Sequence, residues 1–184
     1  SKRPFSSYLI AVVSLVLAGL ALSQPIFFGL GDVVETLLWL VFALSLVWLG
    51  YVVPSAEIKN NELIIVNPFR VAKVGIGAIE DVDTRFALKV TGSFGSISAW
   101  AAPAPGRLRY RSHSTEDYKT LGLKPGELVR PGDLPSTISG SLAFQIQNAR
   151  KQDGLPSNVH IRANLLGIAL AVVPSALLVY HYWA

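Results

Sequence analysis

The sequence lacks the residues that several kinds of chemistry require. Neither cysteine nor methionine occurs among its 184 residues, and only 15% of the residues are charged. The absence of cysteine excludes disulfides, thiolate metal ligands, iron–sulfur clusters and cysteine nucleophiles. About a quarter of the residues in a soluble domain are usually charged. The low charge and the 51% hydrophobic content therefore direct attention to membrane spans.

Three segments contain no Asp, Glu, Lys or Arg, and they cover residues 4–31, 36–56 and 163–184. A helix needs about 20 apolar residues to cross a bilayer. The sequence therefore predicts three membrane-spanning helices, at residues 7–23, 36–53 and 164–182. A short acidic turn with Asp32 and Glu35 separates the first two, which favours a helical hairpin over a cleaved signal peptide.

The distribution of basic residues predicts the orientation of the spans. Lys2 and Arg3 precede the first span, and all other Lys and Arg residues lie between the second and third spans. Lysine and arginine near span ends mark the cytoplasmic side. We therefore expect a multi-pass protein of the plasma (inner) membrane. Its N-terminus and central domain lie in the cytoplasm and its C-terminus lies outside.

The predicted spans offer packing surfaces rather than transport chemistry. His181 is their only ionisable side chain, whereas ion pathways and substrate sites in membranes usually need several such groups. The third span instead has a ridge of small residues at every fourth position, namely Ala163, Gly167, Ala171 and Ser175. Small residues allow another helix to approach closely. That helix could belong to the same chain or to another protein.

The sequence predicts three parts: an N-terminal hairpin of spans (1–56), a central domain (57–155) and a C-terminal span (156–184). In the central domain, turn residues separate six predicted antiparallel strands at 57–59, 62–66, 71–76, 81–92, 96–102 and 106–113. Asn60 and Asn61 suit a two-residue turn in which both residues have positive φ. Residues 112–136 are rich in Pro and Gly, which predicts an irregular excursion.

A helix is predicted after this excursion, with Ile138, Leu142, Ile146 and Ala149 on one face. Strands followed by one amphipathic helix indicate an α+β domain, built as an antiparallel barrel or sandwich that the helix closes.

The segment IIVNPFRVAKVGIGAIEDV (64–82) resembles the bacterial pleckstrin-homology-like (PH-like) domain of actinobacterial membrane proteins and of the low-molecular-weight antigen family. The resemblance is carried by Val66, Asn67, Pro68, Arg70, Val74, Ile79 and Val82. It implies a cytoplasmic seven-stranded barrel closed by a C-terminal helix, often preceded by two spans. Ile76 departs from the family, which often has Trp at that position, and the excursion at 112–136 is long for the family.

Few residues are candidates for catalysis or metal binding. His113 and His160 are far apart in sequence, and no motif links either one to a nucleophile. Glu80, Asp81 and Asp83 are close in sequence, but strand alternation places Glu80 opposite the other two. We expect no enzyme activity, no cofactor, no metal site and no nucleic-acid partner.

The segment PGRLRYRSH places Arg107, Arg109 and Arg111 at alternate positions, so that a strand would show all three on one face. Three interpretations stay open. The stripe is a solvated outer face, a contact for a protein partner, or a contact for anionic lipid headgroups.

These features together predict a non-catalytic integral membrane accessory or assembly subunit. Its expected partners are other integral membrane proteins in a hetero-oligomeric complex, together with membrane lipids. By resemblance in size and topology, the accessory proteins of the actinobacterial cytochrome bcc–aa3 respiratory supercomplex are a concrete expectation. The alternative is a membrane-tethered PH-like module that binds anionic lipid headgroups or a cytoplasmic partner.

Overall fold

The computed structural model describes residues 5–29, 32–103 and 131–183. These residues form three long apolar helices and a separate antiparallel sheet region with a further helix packed on it. The predicted sixth strand at 106–113 lies outside the described residues, as does most of the excursion at 112–136.

The long helices are α1 (Phe5–Phe28), α2 (Val33–Val47) and α4 (Leu165–Trp183), and a π-helical turn (Trp48–Val52) continues α2. Three segments are long and apolar enough to cross a membrane: Leu9–Phe27, Val33–Val52 and Leu165–Trp183. The prediction of three membrane-spanning segments is therefore confirmed at the level of helix length and composition.

Helix α2 packs against both of the other long helices. The side of α1 that is least exposed carries small residues, including Ala11, Ser14 and Ala18, of which Ala18 is buried. Small side chains let helix backbones approach closely where the hydrophobic effect adds little. The π-helical turn contacts α1 and α4, and its Leu49 is buried.

Seven described strands form two antiparallel sheets. One sheet has the order β1-β2-β3-β7 and the other has the order β4-β5-β6. The strands are β1 (Ser55–Lys59), β2 (Glu62–Val66), β3 (Arg70–Gly75), β4 (Asp81–Asp83), β5 (Ala87–Gly92), β6 (Gly95–Pro103) and β7 (Val159–Ala163). Asn60 and Asn61 join β1 to β2 with φ values of 52° and 57°, which confirms the predicted turn.

The predicted strand at 81–92 was wrong as a single element, because it is divided into β4 and β5. The backbone N–H of Arg85 donates to Asp83 Oδ1 at 2.9 Å, and the guanidinium of Arg85 also binds this carboxylate. An aspartate that binds the backbone two residues later favours a turn over a continuous strand. Residues 84–86 therefore reverse the chain and allow β4 to pair with β5.

The prediction of six strands did not include β7. This strand pairs with β3 immediately before α4, with Ala72 opposite Ile161 and Val74 opposite Val159. Every residue of β7 is exposed or half-buried, and the strand lies at the edge of its sheet. Its sequence, VHIRA, nevertheless alternates apolar and polar residues, so a period-two strand signal was present in the sequence.

The helix packed on the sheets is α3 (Ile138–Ala149), which agrees with the predicted helix. Thr137 is its N-cap, and the Thr137 hydroxyl accepts a hydrogen bond from the N–H of Gly140 at 3.0 Å. Leu142 and Ile146 are buried, as the predicted apolar face required. The core that they join is formed by both sheets, and its largest fully buried members include Leu63, Ile65, Val74, Ile76, Leu88 and Val90.

Candidate functional site

The turn between β2 and β3 lies where the sheets meet the long helices. We call this region the helix–sheet junction and define it by Leu49, Asn67, Pro68, Asn164 and Gly167. It brings together the π-helical turn that follows α2, the β2–β3 turn and the first turn of α4.

The Asn67 side chain joins the two sheets. Its Nδ2 donates to the carbonyl oxygen of Ser98 at 2.8 Å, and its Oδ1 accepts from the backbone N–H of Trp100 at 3.0 Å. Ser98 and Trp100 both belong to β6. The amide of Asn67 therefore forms the two hydrogen bonds that a neighbouring strand would otherwise form with β6 at these residues. The backbone N–H of Asn67 donates to the carbonyl of Arg70 at 2.8 Å, which closes the turn.

Asn164 joins the same turn to α4. Its Nδ2 donates to the backbone carbonyl of Asn67 at 3.0 Å, and its own N–H donates to the carbonyl of Phe69 at 3.0 Å. Its Oδ1 accepts from the N–H of Gly167 at 3.3 Å, in the manner of an N-cap. The side chain is buried and uses both its donor and its acceptor, as buried polar groups normally do.

Gly167 provides the closest contact of the junction. A Cβ atom at this position would lie 1.6 Å from the carbonyl oxygen of Pro68 and 3.2 Å from Cδ1 of Leu49. A residue with a side chain therefore cannot occupy this position unless α4 or the turn moves. The absence of a side chain allows α4 to contact the sheet region and the end of α2 at the same point.

The four residues of the predicted small-residue ridge lie in three different parts of the structure. Ala163 is the last residue of β7 and pairs with Arg70, so it precedes the helix. Gly167 lies in the junction, and Ala171 and Ser175 are half-buried within α4. The Ser175 hydroxyl donates to the carbonyl of Ala171 at 2.6 Å, which satisfies the hydroxyl inside the helix.

Basic side chains lie on the outer face of the four-stranded sheet near the junction. The antiparallel register places Arg162 opposite Val71 and His160 opposite Lys73. These four residues share one face, while Ala72 between them is buried on the other face. Two adjoining grooves of about 310 and 480 Å³ follow this surface towards the start of α4.

A second polar contact ties α2 to α4 at the ends of these helices away from the sheets. The Tyr182 hydroxyl donates to Oε1 of Glu35 and accepts from Nε1 of Trp39, the latter at 3.1 Å. The N-cap of α2 is Asp32, whose Oδ1 accepts from the N–H groups of Val34 and Glu35. The bond from Glu35 and then the bond from Val34 lower the pKa of Asp32 from its ordinary value.

Residues 5–29, 32–103 and 131–183 contain no group of three His, Asp or Glu side chains arranged to hold a metal ion. The Asp83 carboxylate forms an ion pair with Arg85 at 3.1 Å. Glu80 lies outside β4, the short strand that contains Asp81 and Asp83. The candidate residues Arg107, Arg109, Arg111 and His113 lie outside the described residues.

No protein-family model, curated protein or solved structure matches the chain. The role of the junction is therefore inferred from its geometry. Its hydrogen bonds and its one close backbone contact can hold two sheets and two spans in a single orientation. In the sequence, Asn67 is one of the residues that carry the resemblance to the PH-like family, and Asn164 is only the first residue of a predicted span. For Asn164, the available signal was a single asparagine at the start of an apolar run.

Proposed function

We propose that the chain is a non-catalytic integral membrane accessory or assembly subunit that docks onto a larger membrane complex. Its spans make the main contact and its PH-like sheet domain makes a second contact on the cytoplasmic side. The N-terminus is cytoplasmic and the C-terminus lies outside the plasma membrane. The observation that carries this proposal is the junction of Asn67, Asn164 and Gly167, which couples the sheet domain to the spans.

A rigid junction favours a partner that contacts the spans and the sheets at the same time. When two contact surfaces are already oriented, binding loses less conformational freedom than it does when a flexible linker joins them. Asn164 and Gly167 connect the sheets to α4 within one helical turn, with no linker between β7 and α4. A partner that contacts both the spans and the sheets therefore meets a preformed surface.

The spans leave broad apolar faces for lipid or for other helices. Within this chain, 11% of the first span, 11% of the second and 17% of the third is buried. On α1, Gly19 is exposed, and a Cβ atom placed there would meet nothing within 4 Å. A neighbouring helix could therefore approach α1 closely at this point.

Two exposed aromatic side chains on the second sheet suit the second contact. Phe86, in the turn between β4 and β5, is 88% exposed, and Trp100 on β6 is 61% exposed. Aromatic residues are enriched at protein interfaces, and their burial provides much of the binding energy. The backbone of Trp100 is held by Asn67, so this contact is coupled to the junction.

The most concrete partner is the actinobacterial bcc–aa3 respiratory supercomplex. Support for it consists of the resemblance to the actinobacterial PH-like family, the mass of 19.8 kDa and the arrangement of three spans around one small domain. No cofactor is assigned to this chain, because the haem groups would belong to the partner subunits.

The test is a mild-detergent pull-down of the tagged full-length chain from its native membrane, read by mass spectrometry and haem absorbance. We expect haem-bearing oxidase subunits in stoichiometric amounts. The double variant Phe86→Ala/Trp100→Ala should reduce this recovery, whereas the control Lys89→Ala/Lys151→Ala should not. Recovery of the chain alone, or with lipid only, contradicts the docking proposal. Recovery of a different membrane complex agrees with the docking proposal and contradicts only the assignment of the bcc–aa3 supercomplex as the partner.

A further inference from the structure

Three basic side chains near the junction have no carboxylate partner within the described ranges. Arg70, Lys73 and Arg162 are all exposed, and none forms an ion pair with a described residue. Arg162 and Lys73 share the outer face of β3 and β7 with His160, whereas Arg70, two residues before the buried Ala72, belongs to the opposite face of β3. Arg162 and Lys73 therefore place two positive charges on one face, where they repel each other, and a bound anion would relieve this repulsion.

The acidic residues on the same face lie on the other two strands. The register places Glu57 opposite Ile64, and Ile64 opposite Lys73, so a whole strand separates Glu57 from the lysine. Glu62 lies towards the end of the sheet away from the helices, where it accepts from Nδ2 of Asn158 at 2.6 Å. The positive charge of Lys73 and Arg162 is therefore not locally neutralised by either carboxylate.

This cluster lies next to the point where α4 enters its apolar run. Arg162 is three residues before Leu165, the first residue of both the helix and the apolar segment. Three residues of extended strand cover about 10 Å, and a headgroup region adds about 5–8 Å to each side of a bilayer core. Arg162 therefore lies within about 10 Å of the start of the apolar segment, which brings its long side chain within reach of lipid phosphates when α4 spans a membrane.

The groove beside the cluster combines polar and apolar walls. It is about 480 Å³ in volume and is lined by Val71, Arg162, Ala163, Asn164, Leu165 and Leu166. Leu165 and Leu166 are largely exposed. Their backbone N–H groups have no acceptor within the helix, because they belong to its first turn. Such N–H groups and the positive end of the helix dipole favour an anion.

We propose that this groove binds the phosphate of an anionic phospholipid. Arg162 contacts the phosphate, Lys73 approaches it from the adjoining groove that Arg162 also lines, the first-turn N–H groups of α4 face it, and the acyl chains lie along Leu165 and Leu166. A membrane lipid fits better than a soluble phosphate, because the apolar wall adjoins the cationic wall. This site uses none of Arg107, Arg109 and Arg111, and it does not depend on the docking proposal.

The test uses the full chain, purified in detergent, in native mass spectrometry with phosphatidylglycerol or phosphatidylcholine. We expect bound phosphatidylglycerol to exceed bound phosphatidylcholine. Each basic residue near the surface contributes a factor of about five in affinity, so Lys73→Gln/Arg162→Gln should weaken phosphatidylglycerol binding about 25-fold. The matched control Lys89→Gln/Lys151→Gln removes the same charge outside the groove and should retain binding.

Each alternative outcome overturns the proposal. Equal binding of the two lipids contradicts recognition of an anionic headgroup, and retained binding by Lys73→Gln/Arg162→Gln contradicts this location. Equal loss in the control variant indicates a general charge effect. A parallel titration with inorganic phosphate distinguishes a lipid phosphate from a soluble phosphate ion as the ligand. Saturable phosphate binding without a lipid preference would assign the groove to a soluble ion. Circular dichroism of each variant establishes that the fold is retained.

Discussion

The side chain of Asn164 donates to the backbone carbonyl of Asn67 at 3.0 Å, although 97 positions separate the two residues. The side chain of Asn67 in turn holds Ser98 and Trp100. One chain of hydrogen bonds therefore runs from the start of α4, through the β2–β3 turn, to the second sheet. The start of α4 and both sheets are therefore linked through the side chains of these two asparagines.

Replacement of Asn67 by alanine should release β6 from the β2–β3 turn. The variant loses two hydrogen bonds, each with a net value of about 1 kcal/mol. Because Asn67 Oδ1 is the acceptor for the Trp100 N–H, the amide exchange of Trp100 should accelerate about fivefold or more. Hydrogen exchange read by NMR measures this directly. Asn148→Ala, on the exposed side of α3, is the control, and an unchanged Trp100 rate in Asn67→Ala would contradict the bridging role.

Alanine at Gly167 and alanine at Gly19 should have opposite effects. The Cβ atom at Gly167 overlaps the carbonyl oxygen of Pro68, whereas the Cβ atom at Gly19 meets nothing within 4 Å. Overpacking lowers the free energy of unfolding by about 1–3 kcal/mol. An open helical site gains about 0.5–1 kcal/mol from alanine. The thermal midpoints of the purified variants in detergent give the comparison, and similar shifts at both sites would disprove the close contact.

Serine and alanine at Asn164 should separate its two roles. Serine keeps an oxygen that can accept from the Gly167 N–H but is too short to reach the carbonyl of Asn67. Asn164→Ser should therefore lower the free energy of unfolding by about 1 kcal/mol, and Asn164→Ala by about 2 kcal/mol. Denaturant titration in mixed micelles gives both values. Equal losses would indicate that the cap contributes nothing.

Asn61 should tolerate glycine but not alanine. Its φ of 57° is in the left-handed region, where a Cβ atom costs about 1–2 kcal/mol and glycine has no such penalty. Asn61→Ala should therefore lower the free energy of unfolding by about 1 kcal/mol, while Asn61→Gly should be neutral or slightly stabilising. Equal denaturation midpoints for the two variants would rule out the turn conformation as the cause.

Acid should loosen the first turn of α2. The pKa of Asp32 is lowered because the carboxylate accepts from the N–H groups of Glu35 and Val34. A carboxyl group whose pKa is depressed on folding adds stability that is complete above its unfolded pKa of about 3.9. This stability is lost as the pH falls through the folded pKa. Amide exchange at Val34 and Glu35, corrected for intrinsic rates, should therefore show less protection in acid. Asp32→Asn retains a capping oxygen and should show no such pH dependence.

Local features of the sequence determined the elements with strong periodic or conformational signals. The three spans follow from charge-free runs of sufficient length, and α3 follows from the spacing of Leu142 and Ile146. The turn at Asn60 and Asn61 follows from the ability of asparagine to adopt positive φ. Each signal lies within about 20 neighbouring residues, so no knowledge of distant contacts was needed.

Only the tertiary structure decided which surfaces these elements share. β7 is an edge strand whose place in the fold is defined by its pairing with β3, where Val71 lies opposite Arg162. The sequence indicated that Gly167 allows a close approach, and the structure shows which groups lie nearest: the carbonyl of Pro68 and the side chain of Leu49 in the turn that continues α2. In both cases the partners lie more than 90 positions away along the chain. Pairings at such separations depend on the register of the whole sheet, which local propensities do not specify.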